Sequence, residues 1–353
     1  MTPLPQAWPR PARPRPIVIV GAGGIVRTAH LPAYRRLELP VAGLFDVNPA
    51  AARETAGQFG LGTVFASLEE AAAVPGAVFD LALPGSQILS TLERLPPGAP
   101  VLIQKPLGED LAAARAITAL CRQRGLVAAV NFQLRFSPGM LALRALVEGG
   151  SLGTLLDVDV RLVVNQPWQL WTFLEKSPRL EVLYHSIHYL DSIRLLAGEP
   201  QGAYCKAVAH PDLPRLRDTR SSILLDYGDR IRCSLTLNHT HRAGPKHRAS
   251  RLAVEGTRGA AVFTMGVNLD YPDGGPDALE VALEGGAWEA VPLRGSWFIE
   301  AFEGPMSNLQ RFVAGEDAAL VSPVSDALAT MALVEACYLS SAAGATPIPP
   351  VVP

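Results

Sequence analysis

Ile17-Val18-Ile19-Val20-Gly21-Ala22-Gly23-Gly24-Ile25-Val26 reads as a buried β-strand, a glycine turn and the start of a helix. Such a turn lets backbone N–H groups approach a pyrophosphate at a helix N-terminus, where the dipole favours negative charge. Glycines alone are weak evidence, since any tight strand-to-helix turn can use them. The third position of the G-x-G-x-x-G/A fingerprint is Val26, a departure that loosens the helix–strand packing expected there. The second half of the fingerprint is present. Val41 to Phe45 is another apolar strand, and it ends in Asp46, about 20 residues past the turn. A carboxylate there accepts hydrogen bonds from ribose hydroxyls and repels a 2′-phosphate. Val47 and Asn48 follow, with no arginine to take that phosphate, so the reading is NAD in preference to NADP.

From this unit outward to Val130, strand and helix signals alternate. Strand Ile17–Val20 leads to a helix around Ile25–Arg36. Strand Val41–Phe45 leads to a helix opening at Asn48-Pro49, an N-cap followed by proline, and closed by Gly60. Val78–Leu83 is a strand, apolar except for Asp80, and Val101–Ile103 is a short apolar one. A helix from about Leu111 to Arg124 stops at Gly125, and Leu126–Val130 is one more strand. Apolar strands alternating with helices predict a doubly wound parallel sheet, a Rossmann domain over residues 17–131.

After Asn131 the pattern changes. A helix near Pro138–Glu148, a strand through Leu155–Val164 and a helix near Glu181–Ala197 precede alternating segments at Tyr204–His210, Ser221–Tyr227, Arg230–Asn238, Ala249–Glu255 and Ala260–Thr264. Helices around Phe298–Val313 and Ser325–Ala343 complete the pattern. Residues 132–353 are therefore expected to form an α+β domain with a large, mostly antiparallel open sheet, for substrate binding and oligomerisation. The Pro/Arg-rich residues 1–16 lack an apolar h-region and are expected to be a flexible extension rather than a signal peptide.

The bulk numbers allow two domains. The chain has 353 residues, 48% of them hydrophobic, and a formal net charge of -2. That argues against a polybasic nucleic-acid binder and against a disordered chain. No apolar run of ~20 residues is present, so a cytoplasmic protein without membrane contact is expected. Cys121, Cys205, Cys233 and Cys337 are scattered, with no C-x-x-C, so neither a metal site nor a disulfide framework is expected.

From Ile17 to Ala343 the chain resembles the glucose–fructose oxidoreductase / inositol dehydrogenase / MocA-like (Gfo/Idh/MocA) family. Its anchors are Gly21 to Ile25, Asp46, Gln104-Lys105-Pro106-Leu107, the run Asn131 to Pro138, His188-Tyr189-Leu190-Asp191 and Glu255 to Gly259. The order and spacing of these anchors carry the resemblance, which implies a catalytic lysine at Lys105 and a general acid/base or substrate hydrogen bonder at His188. Two departures stand out: Gln104 replaces the usual glutamate, and Tyr184 stands where inositol dehydrogenase-like members carry aspartate.

The residues themselves agree with much of this. Lys105 follows a parallel strand, so its side chain should emerge at the carboxyl edge, where ligands bind. Its ammonium can donate to a substrate oxygen, and a nearby nicotinamide cation would make its proton easier to release. Tyr184 and His188 stand at i,i+4 on one predicted helix face, so Tyr184 is a further catalytic candidate and His185 a substrate-binding one. Asp191 lies one turn on and is expected to orient His188. Pro84, Gln104 and Asn131, at strand exits, join Gly21, Gly23, Gly24, Ile25, Asp46 and Lys105 as cofactor-binding candidates. Arg135 reads either as an interdomain ion pair or as a substrate ligand. Trp168 and Trp171, with Asn165, Gln166 and Gln169 nearby, read either as core or as a sugar platform. Asn238, His239 and His241 end a strand, and the sequence does not decide their role.

The resemblance implies hydride transfer between a hydroxyl carbon of a sugar, cyclitol or related polyol and nicotinamide. His188, helped by Tyr184, would take the hydroxyl proton while Lys105 steadies the alkoxide. It also implies a homodimer or homotetramer joined through the open sheet face. Two alternatives stay open at this level: an enzyme that retains NAD and cleaves glycosidic bonds by transient oxidation, and an inactive NAD-binding sensor.

Overall fold

The computed structural model describes residues 3–271 and 274–347. Met1 and Thr2 of the extension, and residues 348–353 at the end of the second domain, lie outside them.

Strands Ile17–Val20 (β1), Val41–Phe45 (β2), Val78–Leu81 (β3), Pro100–Gln104 (β4) and Val127–Asn131 (β5) form a parallel sheet in the order β2-β1-β3-β4-β5. A single bridge from Leu44 to Val64 extends it beyond β2. This is a doubly wound nucleotide fold with its outermost strand reduced to one bridge, and its switch point lies between β1 and β3. Alternation along each strand feeds two cores. Val18, Val20, Phe79, Leu81, Val101 and Ile103 face one side; Ile17, Ile19, Val78, Leu102 and Ala129 face the other.

The helices form where local chemistry starts and stops them. The predicted helix at Ile25–Arg36 is in two parts, a π-turn at Val26–His30 and a short α-helix, Leu31–Arg36 (α1). Val26 itself is fully buried in the core where that turn widens. Pro49–Phe59 (α2) is capped by Asn48 Oδ1, which accepts from Ala50 and Ala51 N–H, and ends on Gly60 at φ 67°. Leu68–Ala72 (α3) and Gly85–Leu92 (α4) were not read from the sequence. Leu111–Gln123 (α5) starts on Asp110, which accepts from Ala113 N–H at 2.8 Å.

Beyond a 3-10 turn at Gln133–Phe136 comes Pro138–Glu148 (α6). Leu155–Val163 (β6), Gly202–Val208 (β7), Arg220–Asp226 (β8), Arg232–Asn238 (β9), Ala249–Gly256 (β10), Gly259–Thr264 (β11), Ala278–Leu283 (β12) and Glu289–Val291 (β13) form the second sheet. Its order is β13-β12-β11-β10-β6-β9-β8-β7, antiparallel except for the β6/β9 pair. The last two strands, β12 and the edge strand β13, escaped the sequence reading, because glycine-rich turns interrupt a short alternation there. Helices α6, Ile187–Ala197 (α7) and Val324–Ala343 (α9) pack on one face. The other face carries an exposed cross-strand row that includes Tyr204 and Leu224, which are 65% and 53% exposed.

Two expectations need correction. The helix at Glu303–Val313 (α8), read as part of the second domain, seals the parallel sheet instead: Phe302, Met306 and Leu309 share a core with Ile19 and Leu102. The N-terminal extension is not free. Gln6 Nε2 donates to Pro292 O, Trp8 Nε1 to Asp317 and Arg15 N to Gln310 Oε1, while Trp8 meets the Phe136 ring edge-on at 5.3 Å. Prolines cannot donate to a sheet ladder, so this strap is tied down by side-chain bonds that leave no periodic pattern.

Candidate active site

Parallel strands end together, so Gly21, Pro84, Lys105 and the residues after Asn131 share one edge. Gly21 is at φ 110°, and a Cβ there would stand 2.4 Å from Ala82 O, so only glycine fits. Above Gly23 and Gly24 a Cβ would meet nothing within 4 Å. Asp46 is fixed beside this turn: its Oδ2 accepts from Ala22 N–H and its Oδ1 from Asn48 N–H, both at 2.7 Å. A closely approached backbone, open space above it and an aligned carboxylate fit a dinucleotide. Ile25 and Pro84 border the same turn, Pro84 as the N-cap of α4.

Lys105 leaves β4 and extends to the second domain, where Nζ donates to Tyr184 O at 2.8 Å. Burial pushes its ammonium down to about 8. His188 lies near it on α7. Burial, and then the Lys105 charge, hold the imidazole well below its ordinary value, so it is neutral at pH 7. The same holds for His185, where burial is reinforced by His239, Lys105 and His188. His185 is boxed by His239, Trp168 and Trp171, with ring centroids at 4.5, 5.2 and 6.4 Å. His239 Nε2 lies 3.2 Å from Glu181 Oε1, which also accepts from Ser186 Oγ at 2.5 Å. The Nδ1 atoms of His185, His188 and His239 are buried without a protein partner.

The structure thus gathers Lys105, His185, His188, Trp168 and Trp171, and it turns five other candidate side chains elsewhere. Tyr184 contributes its carbonyl, not its hydroxyl. A π-turn at Val182–Ser186 breaks the i,i+4 register, and the Tyr184 ring turns to Phe173 at 6.0 Å, while His188 meets Trp297 at 5.7 Å. Asp191 does not orient His188, because both its oxygens accept from Arg135 at 2.6 Å. Arg135 takes the ion-pair side of its two readings: it also donates to Val321 O and Asp326 and is 2% exposed. Gln104 and Asn131 turn their amide nitrogens inward to His30 Nε2, each at 3.3 Å, rather than outward to a cofactor.

Among the open candidates, Asn238 Oδ1 holds a turn by accepting from Thr240, and His239 enters the site. Trp297 and Tyr271, which meets Trp171 at 5.6 Å, were missed, for they come from loops far along the chain with no pattern around them. Glu181 and His30 were missed too; the signal for His30 was Asp80, a carboxylate in an apolar strand that needs a buried partner. Among the described residues no group of three or more His, Cys, Asp or Glu side chains is placed to hold a metal, and no helix is long and apolar enough to cross a membrane.

Comparison with known proteins agrees with this geometry. Residues 15–132 match the oxidoreductase family with an NAD-binding Rossmann fold, and residues 109–262 match the GFO/IDH/MocA C-terminal domain. The chain is 26% identical over 350 residues to D-apiose dehydrogenase of Paraburkholderia graminis, covering 93% of this chain and 88% of that protein. It is 28% identical over 253 residues to trans-1,2-dihydrobenzene-1,2-diol dehydrogenase of Sus scrofa, covering 69% and 72%. Among solved structures, an oxidoreductase from Agrobacterium radiobacter in complex with NAD+, L-tartaric acid and magnesium superposes with TM-score 0.80 at 19% identity, covering 94% of this chain and 97% of that one. Aldose-aldose oxidoreductase from Caulobacter crescentus, complexed with glycerol, gives 0.78 at 19% identity, covering 94% and 99%.

Proposed function

The chain belongs to the Gfo/Idh/MocA oxidoreductase family and acts on CH–OH groups, and from that premise we propose that it is an NAD-dependent dehydrogenase of a sugar or related polyol. The observation that carries the reading is a half-buried lysine, anchored on Tyr184 O at the carboxyl edge of the dinucleotide sheet, beside a neutral histidine. Gly21, Gly23, Gly24, Ile25, Asp46 and Pro84 would hold NAD, which when bound supplies the hydride acceptor. His188, neutral at pH 7, takes the hydroxyl proton. Lys105, anchored on Tyr184 O, donates to the oxygen as negative charge builds on it.

The polyol assignment rests on the unpaired imidazoles. Leaving a buried polar group without a partner costs about 1–3 kcal/mol. His185, His188 and His239 each keep one such nitrogen, and the hydroxyls of a bound polyol would be partners for them. Trp168 and Trp171 would cover the C–H face of the ring. A cleft of about 530 Å³ on the far side of Trp168, lined by Gln166, Asp212, Arg215 and Arg242, is separate from Lys105 and His188. Purified protein mixed with NAD and a panel of aldoses, ketoses, inositols and sugar acids should form NADH with a subset of them. Bound NAD with no NADH across the panel would overturn the reading.

Asp46 should set the cofactor choice. Its ribose hydrogen bonds are charge-assisted, worth about 1.5–3 kcal/mol. Asp46→Ala is therefore expected to raise KM for NAD by about 10–100-fold and to narrow the preference over NADP. Equal use of NAD and NADP by the wild type would contradict the assignment.

We also propose self-association through the open sheet face, where Tyr204 pairs with Leu224 across β7 and β8. Light scattering at micromolar concentration should give a dimer or tetramer, and Leu224→Glu should shift it towards monomer; a monomeric wild type would remove the idea.

A further inference from the structure

We propose that His30 and Asp80 form a positioning pair for Lys105, acting through the side-chain amide of Gln104. Asp80 lies within β3, between Ile19 of β1 and Leu102 of β4, and its side chain enters the core sealed by α1 and α8. A bare carboxylate there would be costly to bury. Two donors meet its Oδ2: the Tyr34 hydroxyl at 2.7 Å and His30 Nδ1, also at 2.7 Å. A carboxylate only accepts, so Nδ1 carries the hydrogen, which leaves Nε2 free to be an acceptor.

Two amides converge on that acceptor. Gln104 Nε2 and Asn131 Nδ2 each lie 3.3 Å from His30 Nε2. Amide nitrogens only donate, so both contacts demand the tautomer that Asp80 selects. Gln104 and Asn131 are register partners at the last residues of β4 and β5. With its nitrogen committed to His30, Gln104 turns Oε1 to the Lys105 backbone N–H, which donates to it at 2.8 Å. That peptide is where the chain leaves the sheet and aims Lys105 at Tyr184 O. Turning the Gln104 amide by half a rotation would set its NH2 against the Lys105 N–H and lose both bonds. The geometry also accounts for glutamine in place of glutamate at 104: a carboxylate cannot donate to His30 Nε2, and would need a proton on that nitrogen.

The kinetic arm of the test rests on the dehydrogenase reading; the spectroscopic arm does not. In protein with 15N-labelled histidine, one of the seven histidines should show a protonated Nδ1 and an unprotonated Nε2 at neutral pH, and this signal should vanish in His30→Gln. Gln104→Glu should convert that Nε2 to the protonated type. In kinetics, His30→Phe should lower kcat about 10–100-fold, the range for a group that orients a reacting residue, with KM little changed. His30→Gln, which keeps one donor and one acceptor, should recover most of the loss. Should His30→Phe not fold, Gln104→Leu carries the same kinetic expectation. A protonated Nε2 in the wild type, an unmoved signal in Gln104→Glu, or wild-type kcat in His30→Phe or Gln104→Leu would each overturn the proposal.

Discussion

Lys105→Ala is expected to lower kcat/KM by about 10²–10⁴-fold, the usual contribution of a positioned acid–base group. Binding should survive, with NADH still quenching tryptophan fluorescence in the variant. The pH profile tests the role more closely. Burial holds the ammonium at about 8, so it is charged below that value and loses its proton above it. Oxidation that depends on the charged form should fall above about pH 8. Lys105→Arg keeps its charge at every working pH and should lose that limb, whatever its absolute rate. Stability should move the other way from activity. The unfolded chain holds this proton up to the ordinary lysine value near 10.5, so between about 8 and 10.5 it binds more protons than the folded chain. Stability due to this residue therefore rises with pH through that window, and at pH 7 the buried charge costs free energy. Lys105→Met should melt at or above the wild-type temperature at pH 7. A variant that is inactive yet more stable would mark a functional group held against its solvation; one that is active, or that loses activity only by unfolding, would refute the assignment.

How much of this was legible in the chain depends on whether the cause was local. The strands of the parallel sheet, the Asn48 cap and the α6 boundaries follow from neighbours in sequence, and they were read almost residue for residue. The glycine turn and Asp46 were legible because one backbone geometry imposes a fixed spacing. Tyr184 failed because a single π-turn changes which residues share a face, and nothing in the composition of Val182–Ser186 announces it. Asp191 and Gln104 failed for another reason. Asp191 was read as orienting His188 and Gln104 as facing the cofactor from its strand exit, and each is claimed by a partner from elsewhere: Arg135, 56 residues away, and His30, 74 residues away. Trp297 reaches His188 from the loop after β13, and only the tertiary fold brings them together.

The competing reading of Arg135 leads to the largest stability effect. Its guanidinium grips both oxygens of Asp191 at 2.6 Å, donates to Val321 O at 2.6 Å and meets Asp326 at 2.5 Å. Asp191 also accepts from Thr330, and Arg194 joins Asp326 at 2.9 Å. The network ties the turn after β5 to α7 and α9. Removing one partner from a buried pair typically costs about 3–5 kcal/mol, because the other charge stays in the core. Arg135→Met should lose about that much in urea unfolding. Asp191, 1% exposed, is already raised above the usual carboxylate range, since burial outweighs the Arg135 charge. Without the arginine it should rise further. A carboxyl whose folded pKa is raised favours the folded state as pH falls, so the deficit of Arg135→Met should shrink on acidification. Arg135→Met combined with Asp191→Leu should recover much of the loss, since an apolar replacement of both partners leaves no orphan charge. If Arg135 held substrate instead, the single variant would keep its stability and lose KM. If it is a strut, the variant unfolds early, and the molecules still folded turn over substrate with unchanged KM.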